Sequence, residues 1–319
     1  MVTYITMLKV IAACLITNSH YTDVYPLDII ANGGLIGDIL FFAVSGYCLY
    51  YAKGCFTEWY GKRLVRCYLP VIVITAFYML LGFYTLENGS LFWWYVYPTY
   101  YHFVASIIIL YIPYYVVVKN AVFRNNLLRV MLVVFGVYLI LYLFAYDKSY
   151  YHIDNVRQPM IRFLFFESML LGAWFRQQDE RYRQRTPRAG DILLVVFAFV
   201  LYFASKLLFA RNLLPNQWQI VNQVLIFLLL YFMLRMLSAL DIYLHEHIKG
   251  ELYAVMTYLA SITLEIYVVQ YVVIDVVRPW FSFPLNWVAL TSGILIAAGI
   301  LHHVCENILQ YLGKISVHK

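Results

Sequence analysis

Lys9 and His20 stand eleven residues apart in an otherwise apolar segment near the start of the chain. Eleven residues are about three helical turns, so the two side chains share one helix face and are separated by roughly 16 Å of rise. Histidine exchanges protons near neutral pH, which makes His20 a candidate general base. The alternative is an interfacial histidine that bonds to a loop. Asp23 would orient the imidazole if the helix continues that far.

The composition indicates the environment of these residues. Of 319 residues, 63% are hydrophobic and only 13% are charged, whereas about 25% of a soluble domain is charged. We therefore predict an all-α, polytopic membrane helical bundle without a cleavable signal peptide, in which residues 1–319 form a single domain. The five cysteines have no spaced framework, so neither a disulfide nor a metal site is predicted. The apolar runs divide into ten spans, at 3–21, 29–52, 65–86, 100–118, 129–146, 159–176, 190–209, 218–240, 252–276 and 285–310.

The basic residues favour a topology with both termini in the cytoplasm. Sixteen of the 23 Lys and Arg residues then lie on the cytoplasmic side and six on the outer side, while Lys9 lies within the membrane. The net charge of +6 therefore reflects topology and does not indicate nucleic-acid binding. The cluster between Arg181 and Arg188 is typical of a lipid-headgroup and topology signal.

Asp38 is a second ionisable residue within an apolar run. It lies about nine residues into the second span, some 13 Å at helical rise, which matches the estimated depth of Lys9 below His20. Ionisable groups inside a membrane are costly and are functional candidates by default. Because buried charges need partners, we predict that Lys9 and Asp38 form an ion pair. The alternative for Lys9 is a snorkelling or ion-paired lysine with a structural role.

Lys62, Arg63 and Arg66 lie between the second and third spans. Arg63 and Arg66 are three residues apart and share one helix face, where two guanidinium groups are suited to phosphate oxygens. Ordinary positive-inside charge is the alternative, and spacing alone favours it.

These residues fall into motifs that resemble those of the acyltransferase type 3 family. In that family an arginine precedes the catalytic histidine by the spacing of Lys9 and His20. The segment from Gly37 to Gly46 is similar to the family's glycine, aspartate, paired-phenylalanine and Ser-Gly pattern. The segment from Lys62 to Pro70 is similar to its double-arginine motif before a proline, which is associated with the phosphates of CoA.

Two later motifs match in part. Tyr101-His102 begins a fourth-span motif that lacks the family's tryptophan. The segment from Thr263 to Gln270 resembles the family's Ser-Leu-x-Ile-Tyr-Leu-x-His motif, with Gln270 in place of the histidine. A histidine base is therefore not expected at that position.

The resemblance implies a stand-alone O-acyltransferase that moves an acyl group, most commonly acetyl, from cytoplasmic acyl-CoA to a sugar hydroxyl on a cell-surface or lipid-linked polysaccharide. It implies a bacterial cytoplasmic membrane, contact with membrane lipids and no metal. Ser19 is not expected to be a nucleophile, because adjacent helical residues do not face each other. For catalysis the resemblance implies His20, Lys9 and Asp38, and for binding of acyl-CoA it implies Arg63, Arg66 and Lys62. The residues implied for the substrate path are His102, Glu167, Tyr267 and Gln270. For Glu167 and Tyr267 the alternative role is hydrogen bonding between helices.

Two other classes of function remain open at this point. A transporter or flippase for lipid-linked sugars would also be polytopic and carry buried charges. Such transporters often show repeated halves, and the sequence has no clear internal repeat. A structural membrane scaffold would leave Lys9 and Asp38 without a function.

Overall fold

The computed structural model of the protein describes residues 2–87 and 90–317. In this part of the chain all regular structure is helical, which confirms the all-α class. The α-helices are α1 (Thr3–Ser19), α2 (Gly34–Leu49), α3 (Phe56–Leu80), α4 (His102–Lys119), α5 (Ala121–Asn125), α6 (Leu127–Phe144), α7 (Ile161–Gln177), α8 (Asp179–Arg183), α9 (Ala189–Ala210), α10 (Ile220–Ala239), α11 (Asp241–His247), α12 (Gly250–Ser261), α13 (Thr263–Val277) and α14 (Leu285–Val317).

Seven helices in the described residues are long and apolar enough to cross a membrane. The α12 and α13 helices are together long and apolar enough to form one more span, although they are bent by 68° where Ile262 separates them. That pair brings the number to eight. The α1 and α7 helices have 17 residues each, which is at the short end of what spans a bilayer. The count of ten spans and the orientation of the termini stay predictions.

The third span begins earlier than the hydropathy indicates. We predict it over residues 65–86, but α3 runs from Phe56 to Leu80. Its first turns carry Lys62, Arg63 and Arg66, whose charges lower the local hydropathy without interrupting the helix. Long basic side chains keep their charged ends in water while their stems follow a helix into the interface.

The chain divides into two compact units. The first consists of Met1–Lys9, Asp38–Gly54 and Ile109–Ala254, and the second of Val10–Gly37, Cys55–Ile108 and Val255–Lys319. The single domain over residues 1–319 stays a prediction. Of the site residues predicted above, the first unit contains Lys9, Asp38 and Glu167, and the second contains His20, Lys62, Arg63, Arg66, His102, Tyr267 and Gln270.

In the first unit, α2 and α7 are in backbone contact at two glycines. A Cβ atom added to Gly46 would overlap the carbonyl group of Met169, and one added to Gly172 would overlap that of Ala43. Since apolar surface gains little by moving from lipid to protein, membrane helices rely on such close packing of small residues. Gly46 and Gly172 therefore determine how closely these two helices approach.

In the second unit, glycines at the start of α2 allow the same approach to α1. A Cβ atom on Gly37 would lie 2.7 Å from the backbone oxygen of Ala12, and one on Gly34 would lie 2.5 Å from Oγ of Ser19. The Ser19 hydroxyl donates a hydrogen bond to the carbonyl oxygen of Ile16 at 2.7 Å. The end of α1 is therefore packed against α2 just before His20.

A buried carboxylate holds the beginning of α1 in the first unit. Asp241, which is 2% exposed, accepts hydrogen bonds from the backbone N–H of Tyr4 and from Nε of Arg183, each at 2.8 Å. The first N–H groups of a helix have no partner within the helix, and a carboxylate there is also favoured by the helix dipole. Asp241 thus links the start of α1 to α8 and α11.

We predict that Gly172→Ala lowers the free energy of unfolding by about 1–3 kcal/mol, because the added methyl group forces two helices apart. Gly136 is the matched control, since no atom lies within 4 Å of the position of its Cβ. Gly136→Ala in α6 should be neutral or stabilising by up to about 1 kcal/mol. Thermal and denaturant unfolding of the purified proteins in detergent measures both effects, and equal stability of the two variants would contradict the packing described.

Candidate active site

His20 is the first residue after α1. Its backbone N–H donates to the carbonyl oxygen of Thr17 at 3.0 Å, so the backbone turns at this point. The expectation that Asp23 orients the imidazole on a continuing helix is wrong. Asp23 adopts a φ of +63° in the turn that follows and forms an ion pair with Arg278 at 3.2 Å.

Asn18 fixes the loop that follows His20. Its side-chain nitrogen donates to the carbonyl oxygens of Ile30 and Asn32 at 2.8 and 3.0 Å, and its side-chain oxygen accepts from the Tyr25 hydroxyl at 2.7 Å. Asparagine has both donors and an acceptor, so one side chain can hold three points of a loop. The sequence alone gives only a weak signal of this role, an amide next to a candidate catalytic residue.

The His20 ring packs against a cluster of tyrosines. Its centroid lies 4.9 Å from that of Tyr271, edge to face. Tyr271 in turn packs against Tyr100 at 5.3 Å and against Tyr101 and Tyr267 at 5.8 Å each. We call Tyr100, Tyr101, Tyr267 and Tyr271 the tyrosine cluster. Edge-to-face contacts of this kind orient rings, so the cluster fixes the imidazole from one side.

His102 and Tyr267 lie at the same cluster. The two rings are 6.2 Å apart at right angles, and the hydroxyl oxygen of Tyr267 accepts a hydrogen bond from the backbone N–H of Phe103 at 3.3 Å. This N–H belongs to the first turn of α4, and the N–H groups of a first turn have no acceptor within their own helix. The structure thus brings together three of the residues predicted from the sequence, namely His20, His102 and Tyr267.

Gln270 on α13 is fully buried, and neither its side-chain oxygen nor its nitrogen has a hydrogen-bond partner among the described residues. Buried polar groups are almost always hydrogen-bonded, and an exception calls for an explanation. Gln270 precedes Tyr271 in the chain and occupies the position that is histidine in the motif discussed above. A buried amide with free donors and a free acceptor is suited to a polar ligand.

The basic residues at the start of α3 lie on a helix, as predicted. The Arg63 guanidinium lies 4.7 Å from the ring centroid of Trp59 and donates to the carbonyl oxygen of that residue at 3.1 Å. Lys62 forms an exposed ion pair with Glu58 at 2.6 Å, and Arg66 is exposed. Arg63 is thereby held against a buried aromatic ring, whereas Arg66 presents its charge to solvent.

The predicted ion pair between Lys9 and Asp38 is wrong. The ion pairs within 4.0 Å in the described part of the first unit do not include it. Asp38 is 4% exposed and Lys9 is half-buried. Helical rise fixes only the depth of a side chain and not the direction in which it points, so equal depth did not bring the two charges together.

Glu167 on α7 is also buried in the first unit, and its Oε1 atom has no hydrogen-bond partner among the described residues. With Asp38, it gives this unit two buried acidic side chains inside apolar helices. Such groups are costly in a membrane bundle and mark functional paths by default.

A carboxylate and an imidazole that the sequence did not indicate lie in contact in the second unit. Glu265, 6% exposed, lies 2.9 Å from Nδ1 of His302, whose Nε2 lies 3.3 Å from Glu306. His302 and Glu306 are four residues apart on α14 and therefore share a face, which is the only signal in the sequence. Their contact with Glu265 on α13 depends on tertiary packing.

A cavity of about 390 Å³ lies along α1 in the second unit. Its walls are largely apolar, with Val10, Cys14 and Ile294 among them, and polar groups of Asn18 and Tyr21 lie at its other end. From Val10 to Asn18 the helix rises about 12 Å. The residues that line the cavity thus extend along α1, the helix that ends just before His20. Their largely apolar character suits a ligand with an apolar body.

A family model for an acyltransferase domain matches residues 2–303. The chain belongs to the acyltransferase type 3 family. As a family member with seven or eight apolar helices of spanning length in its described part, it is an integral membrane acyltransferase. No curated protein and no solved structure matches it.

We predict that Gln270→Leu raises the free energy of unfolding of this acyltransferase by about 1–3 kcal/mol, because it removes a buried amide without partners. Gln223 is the matched control. It is 2% exposed, but its nitrogen donates to the Ile153 carbonyl oxygen at 3.0 Å and to Asp154 at 3.2 Å.

Gln223→Leu should therefore lower the free energy of unfolding by a similar amount, since it leaves buried acceptors unpaired. Denaturant unfolding in detergent measures both variants. If Gln270→Leu lowers the free energy of unfolding as much as Gln223→Leu does, the side-chain amide of Gln270 has hydrogen-bond partners and the prediction is wrong.

Proposed function

We propose that this acyltransferase moves an acyl group, in the first instance acetyl, from cytoplasmic acyl-CoA to a sugar hydroxyl of a cell-surface or lipid-linked polysaccharide, with His20 as general base. The observation that carries the proposal is the placement of His20 at the end of α1, where Tyr271 packs on its ring. The partnerless amide of Gln270 and the family match support it. The family match also favours an enzyme over the alternative of a transporter or flippase.

The proposed reaction needs one base and no covalent enzyme intermediate. His20 takes the proton from the acceptor hydroxyl, the hydroxyl oxygen forms a bond to the thioester carbonyl carbon, and the carbon–sulfur bond breaks. The proton then passes from His20 to the departing CoA sulfur, so that charge and atoms balance. Ser19 is not needed as a nucleophile, and its hydroxyl already donates to the Ile16 carbonyl oxygen.

The charge that develops on the thioester oxygen needs hydrogen-bond donors. Gln270 supplies an N–H₂ group that no acceptor in the described part of the protein occupies. We propose that Gln270 contacts the substrate, and that His102 and Tyr267 line the acceptor path through their contacts in the tyrosine cluster.

Arg63 and Arg66 are proposed to hold the phosphates of acyl-CoA, with Lys62 beside them. Their shared face on α3 supports forked, charge-assisted hydrogen bonds to phosphate oxygens. The cavity beside α1, with a volume of about 390 Å³ and largely apolar walls, is proposed to receive the pantetheine arm. Within the first unit, Lys9, Asp38 and Glu167 are proposed as further residues of the acyl-transfer machinery, because buried ionisable groups inside membrane helices are functional candidates by default.

The proposed cellular setting is a bacterial cytoplasmic membrane. The excess of basic residues on one side of the predicted spans supports cytoplasmic termini. That orientation places the first turns of α3 at the cytoplasmic face and the end of α1 at the outer face, as transfer from cytoplasmic acyl-CoA to an outer glycan requires.

We predict that His20→Ala lowers acyl transfer by at least about 100-fold, because a general base contributes about 10²–10⁴ to the rate. Purified protein is supplied with labelled acetyl-CoA and extracted glycan, and label in the glycan is counted. Ser19→Ala is the control and should keep most of the activity. Undiminished transfer by His20→Ala would rule out the proposed base.

We predict that Arg66→Gln raises the KM for acyl-CoA roughly 10-fold or more, because a hydrogen bond to a charged group contributes about 1.5–3 kcal/mol. The maximal rate should change little, since Arg66 lies far from the thioester in the proposed path. Arg129→Gln, which removes an exposed charge from α6, is the control for net charge. Equal KM values in the two variants would contradict phosphate binding by Arg66.

A further inference from the structure

A second cavity, distinct from the one beside α1, lies at the start of α9 in the first unit. It has a volume of about 800 Å³ and combines three arginines with an apolar wall. The arginines are Arg185, Arg188 and Arg235, and the apolar wall is formed by Leu193, Leu194, Val196, Phe197 and Val200. The site proposed for acyl transfer uses none of these residues.

The charges at this cavity do not balance. Asp191 is 3% exposed and lies 2.6 and 2.7 Å from Nη2 of Arg185 through its two oxygens, and 3.3 Å from Nε of Arg235. It also accepts the backbone N–H of Arg188 at 3.1 Å. Asp191 therefore meets the guanidinium groups of Arg185 and Arg235, while Arg188 contacts it only through its backbone. Among the residues that line the cavity, three arginines stand against this one carboxylate, which leaves two positive charges for a ligand.

One of these guanidinium groups has an unused donor. Nη1 of Arg185 is buried and has no hydrogen-bond partner among the described residues. The same end of the cavity is the N-terminus of α9, a 22-residue helix, whose dipole adds further positive potential. Both features favour an anion with several acceptor oxygens, such as a phosphate group.

The apolar wall leads away from the arginines along α9. Leu193, Val196, Phe197 and Val200 are each more than half exposed and recur at the spacing of one helix face. From Gly190 to Val200 this face extends about 15 Å, which is long enough for much of an acyl chain.

We propose that this cavity binds an anionic phospholipid, with its phosphate at Arg185, Arg188 and Arg235 and an acyl chain against the exposed face of α9. A free phosphate or a soluble phosphorylated compound would satisfy the arginines but would leave the apolar wall uncovered. The predicted topology places this end of α9 at the cytoplasmic face, where anionic lipids attract basic residues.

The test uses the full-length protein in phosphatidylcholine nanodiscs that contain a small fraction of photoreactive phosphatidylglycerol. Mass spectrometry of the cross-linked peptides locates the label, and unlabelled phosphatidylglycerol competes for the site. Arg188→Gln is the test variant, because the Arg188 contact with Asp191 is made by its backbone and survives the change. Arg181→Gln, an exposed arginine outside the cavity, is the matched control.

We expect the label on the α9 peptide that contains Leu193 to Val200. Competition by phosphatidylglycerol should weaken about fivefold in Arg188→Gln, the usual contribution of one basic residue near a membrane surface, and remain unchanged in Arg181→Gln. Equal labelling by photoreactive phosphatidylcholine, or equal competition in the two variants, would overturn the proposal. Displacement of the label by inorganic phosphate would also overturn it and indicate a site for free phosphate.

Discussion

Close backbone contact at glycine allows α2 to pack against two other helices. Gly34 and Gly37 bring its first turns against α1, while Gly46 in α2 and Gly172 in α7 bring backbone against backbone. In lipid, packing of this kind takes the place of the hydrophobic effect that assembles soluble cores. A methyl group at Gly37, Gly46 or Gly172 would overlap the backbone of the facing helix and would therefore force the two helices apart.

The placement of His20 follows from this packing. The end of α1 is held by contact with Gly34 and Gly37, and the chain then turns within the hydrogen bonds of Asn18. Tyr271 packs on the imidazole from α13. A general base must be held within hydrogen-bond reach of the proton it takes, and a shift of about 1 Å can lower the rate about 100-fold. The fixed backbone before His20 and the Tyr271 ring on its imidazole fit that requirement.

The sequence predicted those features that depend on one helix at a time. Long apolar runs gave the positions of most helices to within a few residues, and the spacing of Arg63 and Arg66 correctly indicated a shared helix. Features that depend on several helices were missed. Tyr267 was predicted from its motif, but Tyr271, which packs on the His20 ring, was not, because tyrosine is so frequent in this chain that no pattern distinguished it.

The failed pairing of Lys9 with Asp38 has the same cause. Depth along a helix is readable from the number of residues, but the direction of a side chain depends on how the helices are rotated against their neighbours. The position of α3 shows a second limit. Charged residues at Lys62, Arg63 and Arg66 look like a loop in a hydropathy profile, although the helix continues through them.

Chemical rescue shows whether the imidazole of His20 acts as the base. His20→Ala is supplied with labelled acyl-CoA, glycan and a series of imidazoles of graded basicity, and the rate of label transfer is measured for each. We expect imidazoles to restore transfer, and we expect the restored rate to rise with their basicity. Transfer that no imidazole restores, or a restored rate that is independent of basicity, would contradict it.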